Sequence, residues 1–123
     1  MYRGQHNYAV LNRYPYTSGH LMIVPFEHVS SLSGTSSETA AEMMTMARHA
    51  EESLRAAYRP DGLPLGLNIG ASAGAGVANH MHLHVLPRWF GDVNFMTVIG
   101  ETRVLPETLE TSYKRLRELC SRW

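Results

Sequence analysis

The chain has 123 residues, of which 44% are hydrophobic, and its eleven basic and eleven acidic residues leave a formal net charge of zero. That size and composition exclude disorder and fit a single domain over residues 1–123 with one core. The balanced charge offers no global field for a nucleic acid polymer, so an anion must be held by local groups. The single cysteine, Cys120, excludes an internal disulfide framework. With no apolar run near the ~20 residues of a membrane span and a polar start unlike a signal peptide, no membrane partner and a cytoplasmic location are expected.

In chain order, Tyr8 to Asn12 reads as a first strand, and Arg13 to Gly19 carries turn chemistry punctuated by Pro15 and Gly19. His20 to Pro25 is a second strand, apolar almost throughout and hence central, with Pro25 ending its ladder. The two should pair antiparallel, leaving Asn12 beside the turn, where spacing alone makes it a turn former. Phe26 to Gly34 reads as a loop containing His28. Thr35-Ser36-Ser37-Glu38 matches a capping box, and Ala40, Met43, Ala47, Ala50, Leu54 and Ala57 follow at helical spacing. The result is an amphipathic helix of about five or six turns, ended by Arg59-Pro60-Asp61-Gly62. Leu65 to Gly70 is a third strand.

Ala71 to Ala78 has small side chains only, which lets backbone N–H groups surround an anion. It joins two strands and lacks the lysine of the nucleoside triphosphatase loop. Trp89 and Phe95 either close the core or shield a pocket and stack on a base. Pro106 should open a final helix whose apolar stripe is Leu109, Tyr113, Leu116, Cys120 and Trp123.

Between the small-residue loop and Trp89 lies Asn79-His80-Met81-His82-Leu83-His84-Val85-Leu86-Pro87. Histidines on alternate residues have the strand period, so a strand would project all three rings from one face and Met81, Leu83 and Val85 from the other. One reading is a metal site. The outer rings would be anchored about 13 Å apart along a straight strand, so one zinc ion could take at most two of them. A second reading is phosphate chemistry, with one imidazole as nucleophile and its neighbours binding or protonating phosphate oxygens. A third, purely structural reading suits a lone histidine better than three in alternation.

His80-Met81-His82-Leu83-His84-Val85-Leu86 resembles the signature of the histidine triad (HIT) superfamily of nucleotide hydrolases and transferases, and Gly19 to Pro25 with His28 resembles its upstream strand and loop. Pro87-Arg88-Trp89, Gly91-Asp92, Asn94-Phe95-Met96 and Thr102 to Pro106 are similar to the bacterial branch of diadenosine tetraphosphate phosphorylases or hydrolases. The resemblance implies an α+β fold, an antiparallel sheet with one long packed helix and a C-terminal helix in the order ββαββα, paired into a homodimer. It implies cleavage of dinucleoside polyphosphates at the α-phosphate. His82 would attack phosphorus and carry the nucleotide covalently, His80 would orient it, and His84 would contact phosphate oxygens or the leaving group. His28 would complete the polar cluster. Asn68 and the loop from Gly74 through Gly76 to Val77 would hold the phosphate, and Asn12 the ribose.

Alternatives within the resemblance are hydrolysis of nucleoside phosphoramidates and non-catalytic nucleotide binding. The chain departs from members with a leading extra strand carrying a Cys-x-x-Cys zinc site, so no structural zinc and no cofactor are expected, and the sheet edge is expected to suffer. It also departs at Gly76 and Val77, where a polar Gln-Ser or Gln-Thr pair is familiar, leaving that loop to backbone donors.

Overall fold

The computed structural model describes residues 1–74, 79–92 and 106–123. Its sheet contains β1 (Tyr2–Arg3), β2 (Asn7–Leu11), β3 (Leu21–Pro25), β4 (Leu65–Leu67) and β5 (Leu83–Val85) in the spatial order β1-β2-β3-β5-β4. Every neighbouring pair is antiparallel. The helices are α1 (Ser37–Tyr58) and α2 (Leu109–Cys120). The α+β class is the expected one, with one strand more than the order ββαββα.

That extra strand is β1, so the sheet edge beyond β2 is covered. Glu42 of α1 explains why so short a strand is held: its carboxylate accepts from the backbone N–H groups of Gln5, His6 and Asn7, each at 2.7 Å, and from the Asn7 side-chain amide at 2.8 Å. Desolvation alone would raise the Glu42 pKa, but the Asn7 amide and the three backbone donors outweigh it and hold the carboxyl below its ordinary value. The β1–β2 turn is thereby fastened to the helix.

The alternation of β2, β3 and β5 sorts their side chains onto two faces. Ala9, Leu21, Ile23, Leu83 and Val85 join Met43, Met46, Ala47, Ala50 and Leu54 of α1 and Leu116 and Cys120 of α2 in one buried cluster. Tyr8, Val10, Met22, Val24 and His84 belong to the opposite face. β3 lies centrally, as its apolar run predicts. The helix α1 starts at N-cap Ser36, whose side chain accepts from Thr39 N–H at 3.1 Å, and ends at Arg59 in the left-handed region with φ 48°.

The final helix begins later than Pro106 suggests, because Thr108 is its N-cap and accepts from Thr111 N–H at 3.2 Å. Its buried face is Ser112, Leu116 and Cys120, whereas Leu109 and Tyr113 are exposed. Among the described residues no helix is long and apolar enough to cross a membrane.

Candidate active site

The sheet face away from α1 carries a cleft of about 540 Å³, within the range of small-molecule sites. One wall is Tyr8, Val10, Met22 and Val24 from β2 and β3. His84 continues that face beside Met22, His80 and His82 line the cleft upstream of it, and Asn12, Tyr14, Tyr16 and Gly74 complete the rim. The three histidines therefore share one opening, as period-two spacing requires.

The ladder nevertheless covers less of the segment than the sequence suggests. β5 pairs with β3 and β4 only from Leu83 to Val85. Upstream, Met81 N–H donates to Val29 C=O at 2.7 Å, so the loop after β3 takes over from the sheet. His84 sits in the ladder opposite Met22 and Gly66, and Gly66 puts no side chain in its way.

Hydrogen-bond partners determine how the rings are protonated. A carbonyl can only accept, so His82 Nδ1, 3.1 Å from the His80 carbonyl, carries a hydrogen. Neutral His82 then presents its Nε2 lone pair. His80 Nε2 likewise donates to the Pro25 carbonyl at 2.9 Å.

At the other end His20 decides the tautomer. Its Nδ1 faces the backbone N–H of Tyr16 at 3.1 Å and, more distantly, the Asn12 amide nitrogen at 3.5 Å. Both are donors, so His20 Nδ1 is bare and its proton lies on Nε2. That proton is given to His84 Nδ1 at 2.8 Å. His84 must then hold its own hydrogen on Nε2.

The rings of His82 and His84 stand 4.6 Å apart, edge to face. The ring with the bare nitrogen thus packs against the ring that carries the donor. Burial, followed by the charges of His84 and His82, pushes the His20 pKa down to about 4. Burial, and then His82, lowers that of His84 as well. Both rings are neutral at pH 7, the state the hydrogen bonds demand.

Of the other residues singled out in the sequence, His28 is exposed and its ring centre lies 4.9 Å from that of His80, outside the cleft lining. Asn12 lies on the rim, but its Oδ1 accepts from Tyr14 N–H at 3.0 Å, closing the turn that its spacing suggested. Asn68 lies beside Gly74 rather than in the cleft lining: its amide nitrogen would be 3.9 Å from a Cβ added there. Gly76, Val77 and Phe95 lie outside the described residues. Trp89 packs edge-on against Tyr58 at 6.4 Å and does not line the cleft.

Sequence reasoning missed His20 as a site residue, since it read as the first residue of an apolar strand. Its partner lies 64 positions away.

His28 and His80 are paired closely enough to raise the question of zinc, but a structural zinc takes four ligands. Among the described residues no group of three or more His, Cys, Asp or Glu side chains could hold a metal. The donors among the described residues do not fit such a site.

A family model described as the HIT domain matches residues 1–91. A Mycobacterium tuberculosis protein named AP-4-A phosphorylase is 46% identical over 114 residues, which are 93% of this chain and 58% of that protein. An uncharacterized HIT-like protein of Saccharolobus solfataricus is 33% identical over 88 residues, 72% of this chain and 63% of its own length. The chain therefore spans about three fifths of these relatives. A zinc-bound histidine triad family protein from Mycobacterium smegmatis has a similar structure, with TM-score 0.78 and 28% identity over 98% of this chain and 82% of that one.

Proposed function

The chain belongs to the HIT domain family, and from that premise we propose that it is a nucleotidyl transferase that cleaves dinucleoside polyphosphates, such as diadenosine tetraphosphate, at the α-phosphate, with His82 as nucleophile and inorganic phosphate as acceptor. The observation that carries the proposal is the set of hydrogen bonds that leaves Nε2 bare on His82 and protonated on His84, two rings in edge-to-face contact. The choice of phosphate over water as acceptor rests on the named activity of the 46% identical relative.

In the first step His82 Nε2 bonds to the α-phosphorus as the bridging P–O bond breaks. The nucleoside triphosphate leaves with that electron pair. It departs as an anion and takes no proton. The Nε2–H of His84 lends a hydrogen bond to oxygens on which charge builds, a preorganised donor of the kind that lowers such barriers. The imidazolium formed on His82 keeps its Nδ1–H on the His80 carbonyl, whose dipole favours the positive charge.

In the second step a phosphate oxygen bonds to phosphorus, the P–N bond breaks, and its electrons return to Nε2. The nucleoside diphosphate is released. Splitting one displacement into two is the usual gain of covalent catalysis. The apolar wall of Tyr8, Val10, Met22 and Val24 suits the base of the retained nucleotide. His80 positions His82 through its carbonyl.

Incubation with diadenosine tetraphosphate, with and without inorganic phosphate, tests the reaction. Adenosine diphosphate plus adenosine triphosphate, formed only with phosphate present, is the expected product pair. The variant His82→Ala should lose at least about a thousandfold in turnover while still binding nucleotide. Undiminished turnover in that variant, prepared free of contaminating enzyme, refutes the assignment.

A further inference from the structure

The proposed substrate has two nucleosides, whereas the apolar wall of the cleft suits one base. Its other end needs a place to rest. The turn between β2 and β3 offers one. Tyr14 and Tyr16 both line the rim, with 74% and 52% of their surfaces exposed. Single exposed aromatics are ordinary on protein surfaces. Here two of them stand at the mouth of one cleft, on a turn whose backbone is tied to the site at both positions: Tyr14 N–H donates to Asn12 Oδ1 at 3.0 Å, and Tyr16 N–H to His20 Nδ1 at 3.1 Å. Pro15 between them further limits the backbone. The backbone that carries the two rings is thus fixed before a ligand arrives, which reduces the entropy lost on binding.

Their position relative to the histidines gives direction. Tyr16 lies 5.9 Å from the His84 ring at an interplanar angle of 26°, on the histidine that presents a donor to the departing oxygens. Tyr14 lies two residues further out on the same turn. The Arg13 guanidinium stands 5.6 Å from the Tyr14 ring centre. Among the described residues the cleft lining has no lysine or arginine. Arg13 therefore brings positive charge to a rim that must accommodate several phosphate charges. A ring with a cation beside it and three quarters of its surface open has a face left for stacking.

We infer that Tyr14, with Arg13 beside it, forms a second nucleoside subsite that stacks the base of the leaving nucleotide and selects dinucleoside polyphosphates over mononucleotide substrates. This rests on the proposed nucleotidyl transfer and adds to it the recognition of the far end. The subsite takes any base with an aromatic face, because stacking is tolerant of base identity. Its phosphate preference comes from a single guanidinium and should weaken with salt.

The test compares kcat/KM for diadenosine tetraphosphate with that for adenosine phosphoramidate, which has no second base, in the full chain and in Tyr14→Ala. Selectivity for the dinucleotide should fall about tenfold or more in Tyr14→Ala, the range expected for loss of one stacked base. Tyr14→Phe, which keeps the ring, should retain most of it. Equal losses on both substrates, or no change in their ratio, overturn the inference. If neither substrate is turned over by the unmodified chain, the proposed reaction is wrong and binding decides the subsite. Calorimetry of diadenosine tetraphosphate and adenosine monophosphate, with and without Tyr14→Ala, should then show the dinucleotide alone weakened. Equal affinities of the two chains for the dinucleotide overturn the subsite on its own terms.

Discussion

The two ends of the histidine segment are built on different principles. His84 lies in the ladder, buried, with its tautomer dictated by a second buried histidine. His80 lies outside the ladder, half-buried, beside the exposed His28. At the first end the protein has replaced water by fixed donors and acceptors, so protonation is decided by the fold. At the second end the backbone carries the consequence: the His80 carbonyl orients His82, and the His80 ring anchors the segment to Pro25. The proposed reaction needs one bare and one protonated nitrogen; the sheet supplies the second and a loop the first.

Removing the buried end should have the larger effect. In His20→Ala, His84 loses the donor that keeps its Nδ1 bare and is free to take the other tautomer. Turnover of diadenosine tetraphosphate should fall about a hundredfold, the lower range for loss of an acid–base or hydrogen-bonding group, with the proposed His82 adduct still expected to form. A His20→Ala enzyme at full speed would mean that the two ends do not differ as described.

The pH dependence of folding sharpens the contrast. The His20 pKa falls from 6.5 to about 4 on folding, so between those values the unfolded chain binds more protons than the folded one. Stability is therefore full above pH 6.5 and declines as pH falls towards 4. The Glu42 carboxyl, held below its ordinary 4.5, begins to add its own loss only as pH falls below 4.5. Thermal melting from pH 7.5 to 4 should show the first decline, and a flat profile across that window would contradict it. The smallest effect belongs to the exposed end: His28→Ala should change kcat/KM less than about threefold, since that side chain is outside the cleft. A loss as large as that of His20→Ala would place it in the site after all.

The contrast also bears on what could be read from the chain beforehand. Alternation of His80, His82 and His84 with apolar residues was enough to put three rings on one face and Leu83 and Val85 in the core. It could not tell where pairing stops, because that depends on a three-residue β4 and on the Val29 carbonyl, both distant in sequence. His20 stood in an apolar strand with nothing nearby to mark it, and its role comes from a contact across the sheet. Glu42 read as one more charge on a helix surface, yet it fastens the first turn of the chain from more than 30 residues away. Period reports faces well and long-range hydrogen bonds poorly.

The central claim is the pair of opposed tautomers, and long-range nitrogen–proton correlation spectra of the imidazoles read it directly at pH 7. The expected spectrum has hydrogen on Nδ1 of His82 with Nε2 bare, and hydrogen on Nε2 of both His20 and His84. A spectrum placing the His82 hydrogen on Nε2, or the His84 hydrogen on Nδ1, would contradict it.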